Sequence, residues 1–263
     1  MLVDYHIHTP LCGHAEGEPR EYVETALKMG LDEIGFSDHL ILHMDKREYS
    51  MPLHQFPNYI RLIGEVKREF QGYPIKIGVE VDYAPGYLEM IQEVLKDHPI
   101  DYVIGSVHCL GEWVFDDPRY VAEYKRRDID EVYEEYFKLF KEAVSSALFD
   151  IMAHPDLVKK FGYRPVRDIH SLLEDVTDLL AKVGICVEVN TSGLRKPVGE
   201  IYPSEEFLRL CYRRGVPITL GSDAHKPQDV GRDFDKALKL IKKVGYEEIA
   251  VFSKRRRTLV KIP

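Results

Sequence analysis

The stretch RDIHSLLEDVTDLLAKVGICVEVN, residues 167–190, changes its hydrophobic period once. Over 167–183 apolar residues return every three or four positions, the spacing of one helical face, and predict a helix. Gly184 then stands where a left-handed cap would stop that helix, and ICVEVN at 185–190 is the short apolar run of a buried strand. The alternation continues in both directions. Strands are predicted at 3–8, 33–38, 75–83, 101–108, 150–154, 185–190 and 217–223. Helices are predicted at 19–29, 57–70, 86–97, 130–147, 167–183, 204–214 and 233–244, with Gly30, Gly215 and Gly245 as further stops. Strands buried on both faces and separated by helices imply a parallel sheet, and seven such βα units close more naturally into a barrel than into an open sheet. No linker, low-complexity tract or break in composition divides the 263 residues. The expectation is therefore an α/β chain forming a single domain over 1–263, a length that α/β barrels reach. Two loops, 40–57 and 109–129, exceed the usual connection length and are candidate lids.

Charge and composition exclude several classes. The 36 basic and 44 acidic side chains leave a net charge of −8, which disfavours a general nucleic-acid binder. No run approaches the roughly 18 apolar residues that span a bilayer, so no membrane partner is expected. Asp4, His6 and His8 occupy the place where a signal peptide would need an apolar core. The four cysteines, Cys12, Cys109, Cys186 and Cys211, form no C-x-x-C pair and fit a reducing, cytoplasmic setting. Oligomeric state is not legible.

In a βα barrel the chemistry lies at the C-terminal ends of the strands. There the predicted strands end in His6 and His8, in Ser37-Asp38-His39, in Glu80 and Asp82, in His108, in His154, and in Asp223-Ala224-His225. Histidines with only structural roles have no reason to favour one rim, whereas imidazole with carboxylate is a ligand set that zinc, manganese and iron accept. With His14 in the first loop there are nine candidate ligands, more than one ion can use, which implies two or three metals. His43, close after the second strand, is a candidate for supporting a ligand or touching substrate. His54, His98 and His170 carry no expected role. After the sixth strand, Arg195 offers the planar fork that suits a phosphate dianion. Lys159, Lys160 and Arg164 follow the fifth strand; Lys160 and Arg164 are further substrate candidates, and Lys159 is read as a solvated loop residue. The run Lys254-Arg255-Arg256-Arg257 is read as a solvated tail.

These residues fall in motifs with a shared look: H-x-H at 6–8, CGH at 12–14, SDH at 37–39, GVEVDY at 78–83, GSVH at 105–108, AHPD at 153–156 and GSDAH at 221–225. Together, and in this order, they resemble the PHP (polymerase and histidinol phosphatase) superfamily. NTSGLRKP at 190–197 followed by YPS at 202–204 resembles the substrate loop of its monofunctional histidinol-phosphatase branch. Ser37 stands where threonine is common in that family, and it touches no expected ligand.

The resemblance implies a distorted (β/α)7 barrel of PHP type with three divalent transition-metal ions, zinc, manganese or iron. His6, His8, Glu80 and Asp223 would hold one, His14, His39 and His225 a second, and Glu80, His108 and His154 a third, so that Glu80 bridges. The implied reaction is hydrolysis of a phosphate monoester, L-histidinol phosphate of histidine biosynthesis, by a metal-held hydroxide. Arg195 would neutralise phosphoryl oxygens, while Asp223, His225 or a bound water would protonate the leaving group. One alternative keeps the metals and acts on nucleotides or nucleic-acid ends; another is a non-catalytic binding module of the same fold.

Overall fold

The computed structural model describes residues 1–44 and 48–263; residues 45–47, inside the predicted 40–57 lid, lie outside the described residues. In chain order the strands are β1 (Val3–Ile7), β2 (Glu33–Phe36), β3 (His39–Leu40), β4 (Ile75–Asp82), β5 (Tyr102–Ser106), β6 (Cys109–Leu110), β7 (Trp113–Val114), β8 (Ile151–Met152), β9 (Cys186–Asn190), β10 (Ile218–Gly221), β11 (Glu248–Ser253) and β12 (Arg256–Lys261). The helices are α1 (Pro19–Met29), α2 (Phe56–Glu69), α3 (Leu88–Lys96), α4 (Ile129–Ser145), α5 (His170–Val183), α6 (Glu205–Arg213) and α7 (Phe234–Val244).

The main sheet runs β1-β2-β4-β5-β8-β9-β10, every pairing parallel. β2 pairs with the first half of β4 and β3 with the second, Ile34 to Phe36 facing Ile75 to Ile77 and His39 facing Glu80. They are one strand position broken at Ser37-Asp38. The sheet closes where Ile7 bridges Ala224: the His8 N–H donates to the Ala224 carbonyl at 2.9 Å and the Ala224 N–H to the His6 carbonyl at 3.0 Å. Seven strand positions, each followed by a helix, make a nearly closed (β/α)7 barrel in one domain, as the periodicity predicts. Gly30 and Gly184 end α1 and α5 at φ of 72° and 75°, a backbone region that costs a side-chain-bearing residue about 1–2 kcal/mol.

The barrel interior is filled, and glycines make the room. Tyr102 lies fully buried and donates from its hydroxyl to the Tyr5 carbonyl at 2.7 Å. A Cβ built on Gly35 would come within 2.1 Å of that hydroxyl, and one on Gly78 within 2.3 Å of the ring. Neither strand can move away without breaking a ladder, so Gly78→Ala should cost about 1–3 kcal/mol, the usual price of overpacking. Urea unfolding of Gly78→Ala beside wild type measures this, and equal midpoints would show that Tyr102 repacks freely.

The C-terminal residues depart from expectation. Lys254-Arg255-Arg256-Arg257 is no solvated tail but the turn and start of an antiparallel hairpin, β11–β12, under the N-terminal end of the barrel. Lys254 and Arg255 take φ of 49° and 62°, and a two-residue turn of this hand matches strand twist. Arg255 pairs with Asp150 at 2.7 Å, and the Thr219 hydroxyl donates to the Ala250 carbonyl at 3.0 Å. At the other end of the barrel the two predicted lids meet. The 109–129 segment folds into the β6–β7 hairpin and a 3-10 stretch at Pro118–Lys125. The Tyr49 hydroxyl donates to the Asp117 carboxylate, and Arg119 reaches Glu48 at 3.3 Å. No helix among the described residues is long and apolar enough to cross a membrane.

Candidate metal centre

All nine predicted ligands gather at the C-terminal rim: His6, His39 and Glu80 lie within strands, and His8, His108, His154 and Asp223 stand one or two residues past a strand end. Glu80, within β4 and fully buried, is the hub. Its Oε2 lies 2.8 Å from His39 Nδ1, 3.1 Å from His6 Nε2 and 3.7 Å from His8 Nε2. Its Oε1 lies 3.2 Å from His154 Nε2 and 3.7 Å from His108 Nε2. Asp223 Oδ1 stands 3.3 Å from His8 Nε2 and 3.9 Å from His6 Nε2. His225 stacks on His8 at 4.0 Å and on His14 at 4.6 Å, and His14 lies 5.3 Å from His39. His154 and Asp223 sit at φ of 25° and 53°, backbone strain held at the site itself.

Acceptors around the cluster set the imidazole tautomers. His6 Nδ1 is 2.7 Å from Glu188 Oε1, His108 Nδ1 is 3.2 Å from Asp82 Oδ1, His14 Nδ1 is 3.2 Å from the Cys12 carbonyl, and His225 Nδ1 is 3.1 Å from the Asp223 carbonyl. In each case a proton on Nδ1 donates outward and leaves the Nε2 lone pair free, the arrangement that metal-binding histidines adopt. Electrostatics agree. Burial opposes charge on Glu80 and Asp223, yet the surrounding imidazoles hold both well below the usual carboxylate range. Burial, with His39 nearby, pushes His8 down to about 3, and burial beside His8 holds His225 well below its ordinary value. Both are neutral at pH 7, as ligation requires. His6 and His108 differ: burial works against their charge too, but Glu188 with Glu80 raises the first and the Asp82 hydrogen bond brings the second to about 10, so each carries a proton on Nε2 that ligation would have to displace.

Divalent transition metals fit this set. Nδ1 of His8 and Nε2 of His225 are buried without a hydrogen-bond partner, which a folded protein tolerates only where something else satisfies them. Imidazoles with two carboxylates are the chemistry that zinc, manganese and iron share.

A cavity of about 570 Å³ opens over the cluster, bordered by His14, His39, His108, His154, Asp223 and His225. Arg195 and Lys160 line it as predicted. Arg195 donates to the Ser222 carbonyl at 2.6 Å, and Lys160 pairs with Asp116 at 2.9 Å. Arg164 does not reach the cavity; it pairs with Glu200 at 2.5 Å on the outer surface. His43 lies behind the ligands, its Nε2 3.4 Å from Asp82 Oδ2, and so props the carboxylate that orients His108. Lys159, read as solvated, is 1% exposed and pairs with Asp156 at 2.8 Å while donating to the Ile201 carbonyl at 3.0 Å. Lys196 and Tyr202, inside the segments that resemble a substrate loop, line the cavity as well, while sequence reasoning gave Glu188 no role. Much of Lys196 is exposed, yet desolvation in the concave mouth, with Lys160 close by, holds its ammonium below the ordinary lysine value. A signal for Glu188 was present, since a carboxylate inside a buried strand needs a partner.

A barrel with histidines and carboxylates crowded on one rim defines a class of metal-dependent hydrolases, and the PHP domain model matches residues 4–192. The chain belongs to the PHP-domain family. A Deinococcus radiodurans protein named "Probable histidinol-phosphatase" is 45% identical over 249 residues, covering 93% of this chain and 94% of that one. The Bacillus subtilis "Histidinol-phosphatase" is 30% identical over 265 residues, covering 89% and 97%. Among solved structures, the Lactococcus lactis histidinol phosphate phosphatase, complexed with zinc, L-histidinol and phosphate, superposes with a TM-score of 0.84 at 28% identity, covering 98% of each chain. The resemblance drawn from the motifs to the histidinol-phosphatase branch is thereby borne out.

Proposed function

We propose that this chain hydrolyses L-histidinol phosphate in the cytoplasm, using three divalent transition-metal ions held by His6, His8, His14, His39, Glu80, His108, His154, Asp223 and His225. The observation that carries the reading is the division of labour at Glu80: one oxygen faces His108 and His154, the other faces His6, His8 and His39. A carboxylate so placed suits two ions at once, and His14, His39 and His225 remain for another. When bound, the ions supply a hydroxide nucleophile at neutral pH and offset the charge of the phosphoryl group.

The chain's own residues do the rest. Arg195 spends N–H groups on the Thr191 and Ser222 carbonyls and still has donors of its five for a phosphoryl oxygen. Lys160 and Lys196 add positive charge to the same wall. Asp223 and His225 border the cavity and are placed to hand a proton to the leaving alkoxide.

The test is a substrate and metal screen on purified protein. Two to three equivalents of transition metal, activity lost on chelation, and a kcat/KM for histidinol phosphate about a hundredfold above that for nucleoside monophosphates are expected. Comparable turnover of nucleotides would favour the nucleotide alternative, and no turnover at all the binding module. Arg195→Ala should lower kcat/KM by about ten- to two-hundred-fold, the loss of one charged hydrogen bond, while leaving metal content intact. Arg195→Lys should recover part of this, since the charge stays and the fork goes. Near-normal kcat/KM in Arg195→Ala would move the clamp to Lys160 or Lys196.

A further inference from the structure

A second cavity, of about 820 Å³, lies at the opposite end of the barrel from the histidines. Its walls come from α2, α3, the entry to β5 and the turn of the β11–β12 hairpin. Ile77, Leu95, Ile100 and Leu148 give it an apolar floor, and His98, whose ring packs edge-on against Phe56 at 4.8 Å, forms one flat side. The rim is cationic. Lys67, Arg68, Lys96, Lys254 and Arg255 all border it.

The cations outnumber the carboxylates there. Arg255 is spoken for by Asp150 at 2.7 Å, and Lys67 leans toward Asp101 at 3.9 Å. Asp101 is the one carboxylate that borders the cavity among the described residues, and it accepts from the backbone N–H groups of Ile77 at 3.0 Å and Lys254 at 3.2 Å. Arg68, Lys96 and Lys254 have no ion pair among the described residues. In a chain of net charge −8, three unpaired cations around one concavity attract anions locally against the overall field. They also come from three separate elements, so a single phosphate could not touch them all at once as well as a chain of phosphates could.

We infer that this cavity binds a small organic polyphosphate, by class a nucleoside triphosphate, with its flat base on the apolar floor and its phosphates among Arg68, Lys96 and Lys254. Its volume lies in the range of small-molecule sites, and an apolar bed with a few convergent charges is how such sites combine affinity with orientation. A long nucleic acid would meet the acidic surface beyond the rim. The inference stands apart from the phosphatase reading, because no residue of the metal centre takes part.

Isothermal titration with MgATP in excess Mg²⁺, which prevents the nucleotide from stripping metals, tests it. Wild-type protein should bind one MgATP per chain saturably, and magnesium tripolyphosphate, which lacks the base, at least about fivefold more weakly. Arg68→Glu/Lys96→Glu and, separately, Lys254→Glu should each weaken MgATP at least about tenfold, as loss of a charge-assisted contact does. These side chains are exposed, so folding is spared, and an unchanged kcat/KM for phosphate ester hydrolysis confirms it. No saturable binding to wild type overturns the proposal, as does undiminished binding in both variants, which would place the nucleotide elsewhere. Tripolyphosphate binding as tightly as MgATP would also overturn it, since the floor would then hold no base.

Discussion

Glu80→Gln is expected to lose at least two metal equivalents together and to lower kcat/KM by about a thousandfold or more. The carboxylate is fully buried and meets five imidazoles within 3.7 Å, three on one oxygen and two on the other. Glutamine keeps the shape, but one of its two terminal atoms becomes a donor that can hold no cation. The charge that lets two cations sit close together is also gone, and at these separations their repulsion is large. Loss of Lewis-acid assistance is worth several kcal/mol, and each 1.36 kcal/mol is a factor of ten in rate. His14→Ala is the comparison, because His14 sits at the exposed edge of the cluster and serves one expected ion. Elemental analysis of both variants decides the matter. If Glu80→Gln loses one ion or none, the carboxylate is no bridge and the three-ion assignment fails.

The barrel was legible because local and global signals coincide in this chain. α1 matches its predicted bounds, and α2, α4, α6 and α7 lie within two residues of theirs, since the apolar stripe that periodicity reveals is also the face each helix buries. The metal cluster was legible for a related reason: a parallel barrel carries every strand's C-terminal end to one rim, so linear motifs far apart in sequence converge by topology alone. What failed depends on contacts that no local pattern encodes. Lys159 and Lys160 are adjacent and alike, yet one is buried against the 200–202 loop and the other faces the cavity. Arg164 and Arg195 each follow a rim strand, and only tertiary placement sends the first outward to Glu200 and the second to the mouth. The basic run at 254–257 lacks the Asn-Gly or Asp-Gly of a familiar two-residue hairpin, so its turn left no readable mark.

Glu188 is the residue where that blind spot bears on chemistry, and Glu188→Gln is expected to weaken metal binding and lower kcat/KM by about ten- to a hundredfold, the usual cost of removing a partner that orients a ligand. Its two oxygens receive three donors: Oε1 faces His6 Nδ1 at 2.7 Å, while Oε2 accepts from the His154 backbone N–H at 2.9 Å and from Asn190 Nδ2 at 3.0 Å. A glutamine must turn its amide nitrogen toward one of these sides. If it faces His6, the imidazole shifts its proton to Nε2 and loses the lone pair aimed at Glu80 and Asp223; if it faces His154, two donors meet where an acceptor was needed. The side chain cannot swing aside, because Oε1 packs so closely against Gly221 that a Cβ there would lie 1.9 Å away. Both outcomes act through His6 and His154, so the loss should fall on the ions they hold and spare the one expected at His14, His39 and His225. Competition with a chromophoric chelator, followed for wild type and Glu188→Gln, separates tight from loosened equivalents. Equal affinity for every equivalent would show that Glu188 serves the core alone, and its hydrogen bond to His6 would then be without consequence for the metals.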